Sequence, residues 1–177
     1  MRAAVIDTSV PVTANGRDVT ASPYCTASCA RAIGEICRSG HLVLDSARRI
    51  IIEYCGKLHP GGQPGPGDEF LKWVLINEWN PARCCRIPVT PRIVNGEDYE
   101  EFPDDPDLAS FHHKDRKFVA VSRAHSEHPP ILVAVDTDWW DARKALKRHD
   151  VRLEFLCEAE LRATARLHSG RRQRVTP

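Results

Sequence analysis

The sequence predicts an α/β domain: a three-layer α/β/α sandwich around a mainly parallel sheet of about five strands. Two observations carry this. Short apolar runs alternate with segments of helical periodicity along the whole chain, the pattern of strand–helix–strand units and a parallel sheet. Two of those runs, Ala3–Ile6 and Ile131–Val135, stop at an aspartate, which suits central strands ending at one edge of the sheet. At 177 residues, with 42% apolar and 28% charged residues, the chain has the size and balance of one globular domain, taken as residues 1–168 with a basic, disordered tail at 169–177.

The elements follow in order. Residues 3–6 form a first strand, broken by Asp7-Thr8-Ser9, and Asn15-Gly16 is a turn signal. Cys25, Cys29, Ile33 and Ile36 recur at spacings of three and four, predicting a helix from Tyr24 to Arg38 that Ser39-Gly40 closes. His41–Leu44 is a second strand, and Asp45 or Ser46 can cap a helix whose apolar face is Ala47, Ile51, Tyr54 and Leu58. His59–Gly67 is a Pro/Gly loop, and a helix runs from Asp68 to about Trp79. Cys85–Val89, bounded by prolines, suits an edge strand. Residues 95–110 are an acidic loop with room for a short helix. Lys114–His125 is helical, Ile131–Val135 is a buried strand, and Trp139–Arg148 is an amphipathic helix. Val151–Leu156 and Glu158–His168 supply the last strand and helix.

Composition excludes several classes. There is no run of about 18 apolar residues, so no membrane span is expected. The start, Met1-Arg2-Ala3-Ala4-Val5-Ile6-Asp7, is not a secretory signal, and a cytoplasmic location is expected. Seven scattered cysteines, an odd number without paired Cys-x2-Cys spacing, predict reduced and mostly buried thiols rather than a disulfide framework or a zinc site. The net charge of +1 announces no nucleic acid, although Arg48-Arg49, Arg116-Lys117, Arg143-Lys144 with Lys147-Arg148, and Arg171-Arg172 with Arg174 are local basic clusters. No glycine-rich phosphate loop occurs.

Open parallel sheets bind ligands beyond the carboxyl ends of their strands. Asp7 and Asp136 therefore fall on one sheet edge, where two adjacent anions are costly unless a cation lies between them. A strand-end aspartate also serves as a cap or turn former. A phosphatase or phospho-receiver would use the same edge. Ser9, however, stands where a haloacid-dehalogenase-like phosphatase needs a second aspartate, and the residues of a receiver are absent.

Four segments then add a resemblance. Val5-Ile6-Asp7-Thr8-Ser9-Val10, Ile50-Ile51-Ile52-Glu53-Tyr54, Asp115-Arg116-Lys117-Phe118-Val119-Ala120-Val121 and Leu132-Val133-Ala134-Val135-Asp136-Thr137-Asp138-Trp139 resemble, in order, the four acidic motifs of PIN-domain nucleases. The resemblance spans residues 5–139. It implies a metal-dependent endoribonuclease in which Asp7, Glu53, Asp115 and Asp136 are catalytic and, with Asp138, hold Mg2+ or Mn2+. Thr8, Ser9, Arg116 and Lys117 would contact substrate. It also implies RNA as substrate, a homodimer, and a role like that of VapC-type toxins, which an antitoxin protein inhibits. A PIN scaffold that binds without catalysis and a small-molecule phosphatase are the alternatives.

Each acid has a plainer reading. Glu53 could pair with Arg49 or Lys57 along its helix, Asp115 could simply begin a helix, and Asp138 could cap one. Asp107 is the substitute for Asp115 if the register shifts. His112 and His113 read as surface residues, and Trp73, Trp79, Trp139 and Trp140 as core, an exposed one being able to stack on a base.

Overall fold

Three apolar runs set the centre of the molecule. Ala4–Ile6, Leu42–Leu44 and Ile131–Val133 are buried along their whole length, as strands covered by helices on both faces must be. The computed structural model describes residues 3–92 and 98–172. Among these, β1 (Ala3–Ile6), β2 (His41–Asp45), β3 (Cys84–Ile87), β4 (Ile131–Val133) and β5 (Leu153–Phe155) form one sheet in the order β3-β2-β1-β4-β5. Every ladder is parallel, and a lone antiparallel bridge joins Pro91 to Tyr99 outside the sheet. The expected α/β class, the strand count and the edge position of the Cys85 segment all hold.

Among the described residues, six α-helices link the strands and a seventh follows them: α1 (Ser9–Ala14), α2 (Pro23–Ser39), α3 (Arg49–Lys57), α4 (Pro66–Asn77), α5 (Arg116–Ala124), α6 (Thr137–Arg148) and, after β5, α7 (Glu158–Arg172). The order moves outward from β1 through β2 to β3, then returns to β4 on the other side of β1. Right-handed crossovers in opposite directions place their helices on opposite faces, giving three layers. α1, α2 and α4 pack on one another, while α5 lies against β1, β2 and β4. No described helix is long and apolar enough to cross a membrane.

Several boundaries differ from expectation for physical reasons. α1 is an unpredicted helix: Asp7 Oδ1 accepts from Ser9 N–H at 2.9 Å and turns the chain into it, and Pro11 sits in its first turn, where a missing N–H breaks no helical bond. β4 ends at Val133 rather than Val135 because the Ala134 N–H turns to Ser9 Oγ, 3.1 Å away. α7 extends through Arg172, so residues 169–172 are helical and not tail; 173–177 lie outside the described residues. In the acidic loop, Pro106–Leu108 makes one 3-10 turn, while residues 95–97 lie outside the described set. Arg48 holds the N-cap position of α3 without a side-chain bond, and the Asp45 carboxylate, not Ser46, accepts from Arg49 and Ile50 N–H at 2.8 Å each.

The cysteines require a correction. Cys25, in the first turn of α2, is bonded to Cys157, just before α7. Cys29 and Cys84 are free and buried, Cys37 and Cys85 are partly buried, and Cys55 is exposed. The partners are 132 residues apart, a pairing that spacing cannot reveal.

A groove of about 1520 Å3 runs along the outer side of β5, between α6 and α7, with Trp140, Arg143, Lys147, Arg152, Phe155 and Arg162 in its walls.

The Asn15-Gly16 turn also has a second function. Asn15 Oδ1 accepts from Gly67 N–H at 2.8 Å and Asp68 N–H at 3.2 Å, satisfying the start of α4, which begins at Pro66 rather than Asp68. A Cβ on Gly67 would stand 1.9 Å from the Pro11 carbonyl oxygen. Gly67→Ala should therefore force α1 and α4 apart and cost about 2–4 kcal/mol, lowering the melting temperature by roughly 4–16 °C. An unchanged melting temperature would show that this contact does not hold the helices together.

Candidate acidic site at the carboxyl edge of the sheet

β1 delivers the first acid. The Asp7 N–H continues the β1–β4 ladder by donating to the Leu132 carbonyl at 3.0 Å, and the residue is only 2% exposed. Asp136 lies three residues beyond β4. It is the N-cap of α6, its Oδ1 accepting from Asp138 N–H at 2.9 Å. Asp115 arrives on a 3-10 turn, His113–Asp115, that runs straight into α5. Three chain segments thus bring three carboxylates to the point where the strand order reverses, the usual ligand position in sheets of this kind.

The electrostatics follow from that crowding. Burial raises the Asp7 carboxyl to about 8, and the charges of Asp115 and Asp136 push the same way. Burial also raises Asp115 to about 7, aided by Asp136 and Glu53, while Lys117 opposes it. Asp136 is raised by burial against the lowering effect of its cap hydrogen bond. These groups resist ionisation together because each would leave water to join other anions.

Glu53 belongs to the cluster but is held differently. Its Oε1 accepts from Thr8 Oγ1 at 2.6 Å, and its Oε2 is paired with the ammonium of Lys117. That nitrogen also donates to the Lys114 carbonyl. The pairing with Arg49 or Lys57 that helical spacing suggests is replaced by a partner 64 residues away. Among the described residues, the carboxylates do not form a set whose ligand atoms all lie within 4.8 Å of one another; Cys25, Cys29 and Cys157 do.

The remaining candidates separate. Asp138 is exposed in the first turn of α6 beside Asp136, and it is not the cap. Thr8 orients Glu53. Ser9 uses its N–H on Asp7 and its hydroxyl on Ala134. Arg116 and Lys117 are 7% and 6% exposed, so neither is presented to a passing phosphate backbone. Arg116 pairs with Asp98 at 3.1 Å, lies 4.6 Å from the Phe102 ring centroid and reaches the Ala109 carbonyl at 3.3 Å. It fastens the acidic loop to the start of α5 and so fixes Asp115. Asp107 is not in the cluster; it is exposed and pairs with Arg148 at 2.6 Å.

His112 is a feature that sequence reasoning left on the surface. It is half exposed, but its Nδ1, which accepts from the Lys114 N–H at 3.3 Å, lies 3.9 Å from Asp115 Oδ2. The adjacent His112-Asp115 spacing was the available signal. Of the tryptophans, Trp139 and Trp140 are buried, whereas Trp79 is 72% exposed and stacked under the Arg86 guanidinium at 3.6 Å.

Raised carboxyls make a signed prediction. Their folded-state values lie above the ordinary 3.8, so the stability they contribute is full below about pH 4 and is lost as pH rises through 7 to 8. In chelator, Asp7→Asn should remove that loss and raise the melting temperature at pH 8 by roughly 3–10 °C, with little difference from the parent at pH 4. Equal pH slopes for parent and variant between pH 5 and 8 would refute the crowding described here.

Comparison with protein-family models, with curated proteins and with solved structures returns no match for this chain.

Proposed function

We propose that this chain is a nuclease that hydrolyses phosphodiester bonds with Mg2+ or Mn2+, acting as an endoribonuclease of the PIN type. The observation that carries the proposal is the convergence of Asp7, Asp115 and Asp136 beyond the carboxyl ends of β1 and β4, each with its carboxyl raised. Such a donor set fits a hard divalent cation. It is all oxygen, it is anionic, and ionising it without a counter-charge is unfavourable. Asp7, Asp115 and Asp136 would hold the ion, with Glu53 and Asp138 beside them. A bound divalent ion would lower the pKa of a coordinated water and offset charge on the scissile phosphate.

The chain's own groups do the positioning. The Asp7 backbone is fixed in the sheet and its carboxylate is aimed by Ser9. The Asp136 carboxylate is aimed by the first turn of α6. Lys117 and Thr8 hold Glu53 at the rim and supply one positive charge among the four acids. Arg116 braces the loop that precedes Asp115. RNA as the strand cut, a cytoplasmic site of action, a homodimer and an inhibitory antitoxin that covers the acidic edge belong to the same proposal.

Purified protein with Mn2+ or Mg2+ should cut members of a broad RNA panel. Asp7→Asn and Asp136→Asn should each lower cleavage by about 100-fold or more. Cutting by these variants at the parent rate would sink the proposal. Lys117→Met should lower cleavage by about 10-fold, the usual effect of losing a ligand's supporting partner; unchanged cleavage would mean that Glu53 needs no positioning. A panel with single-stranded DNA included distinguishes the substrates.

A second reading, a PIN-like scaffold that binds a partner without catalysis, is favoured by the pairing of Glu53 with Lys117 in place of a shared carboxylate shell. Calorimetric titration with Mn2+ separates the two: no binding near neutral pH supports the scaffold.

A further inference from the structure

Outside the carboxylate cluster, Cys25 and Cys29 lie one turn apart at the start of α2, and Cys157 lies in the turn between β5 and α7. All three are buried, at 0%, 0% and 2% exposure. Their sulfurs all lie within 4.8 Å of one another, with 3.8 Å between those of Cys29 and Cys157. A disulfide uses two sulfurs and leaves the third with no covalent purpose. Three small apolar side chains would fill the same space. That explanation does not account for the carboxylate next to them: Glu160, in the first turn of α7, raises the Cys29 thiol and accepts from the hydroxyl of Ser22, the cap of α2. Burial is the larger cause, and Cys29 is pushed up to about 12. In the absence of a cation its sulfur is therefore a neutral thiol.

We propose that the reduced chain binds one thiophilic metal ion, zinc or copper(I), between the sulfurs of Cys25, Cys29 and Cys157. Sulfurs bound to one tetrahedral zinc at about 2.3 Å stand about 3.8 Å apart, and Cys29 and Cys157 already have that separation. Thiolates select zinc and copper(I) over the hard cations that suit the carboxylate edge, so the two sites discriminate by ligand chemistry. Copper(I) is satisfied by three sulfurs. Zinc takes a fourth ligand, and Glu160, whose charge acts on Cys29 more strongly than that of Asp18, is the acid best placed to supply it.

The disulfide and the metal are alternative states of the same sulfurs. Opening the Cys25–Cys157 bond takes two electrons and two protons from a dithiol reductant, which closes to its own disulfide. Metal binding then releases three thiol protons to solvent, so apparent affinity rises with pH. A reducing compartment keeps such bonds open, and there the metal would take over the fastening of α7 to α2.

The test uses the full chain, reduced and held anaerobically, with excess Mg2+ present to occupy the carboxylates. Titration with zinc, with copper(I) and with cobalt(II) as a spectroscopic stand-in is followed by metal analysis after gel filtration. The expected result is one equivalent retained of zinc or of copper(I), with thiolate-to-cobalt charge-transfer absorption in the cobalt sample. Cys29→Ser should lose at least 100-fold in affinity while its oxidised form still folds with the Cys25–Cys157 disulfide intact, because Cys29 takes no part in that bond. No retained equivalent of either metal by the parent overturns the proposal, whatever the folding of the variant. It is likewise overturned if Cys29→Ser binds as the parent does, or if Asp7→Asn abolishes binding. None of these readouts depends on nuclease activity.

Discussion

The hydrogen bond from the Asp7 N–H to the Leu132 carbonyl joins two strands more than a hundred residues apart in sequence, and the acidic edge depends on it. Pairing of β1 with β4 reverses the strand order, and that reversal opens a crevice between the crossovers on either side. It also commits the protein to placing Asp7 and Asp136 side by side. The pairing is driven by burial of Val5, Ile6, Ile131 and Leu132, so the apolar core produces the electrostatic conflict at its own rim. At about 25 cal/mol per Å2 of apolar surface, such a core can sustain a locally unfavourable cluster of charge.

The molecule limits this conflict with one internal cation. Lys117 reaches Glu53 from the turn after Asp115, and Arg116, its neighbour, faces the other way to hold Asp98 and Phe102. Two consecutive basic residues therefore serve two walls of the same site. Removing one partner of a buried pair leaves the other uncompensated, so these cations belong to the architecture of the edge more than to its contact surface.

The sheet was legible in the sequence because buried strands are contiguous apolar runs, and Ala3–Ile6, His41–Leu44 and Ile131–Val135 could hardly be anything else. Asp7 and Asp136 were legible for the same reason: each ends such a run. Short-range signals failed where long-range bonds decide. α1 depends on an Asp7–Ser9 turn, the early end of β4 on a Ser9–Ala134 bond, and the partner of Glu53 on a lysine 64 residues away. Arg116-Lys117 looked like a phosphate-binding pair because exposure cannot be read from residue type, and burial turned both inward. The Cys25–Cys157 bond was hidden by distance along the chain, although the cysteine spacing on α2 correctly placed Cys25 and Cys29 on its buried face.

The groove beside β5 has a consequence for the molecule in a crowded solution. β5 is an outer strand, so one row of its backbone N–H and carbonyl groups faces away from the ladder, a template on which another chain could add a strand. Arg143, Lys144, Lys147, Arg152 and Arg162 line that flank with Asp150, Glu154 and Glu158 among them, and Arg162 is paired with Glu158 at 2.6 Å. Charged side chains of both signs along an edge raise the cost of burying it against a second strand, because each would have to leave water. The strand is also only three residues long. Its shortness and the charged side chains along it guard this edge against sheet-to-sheet aggregation.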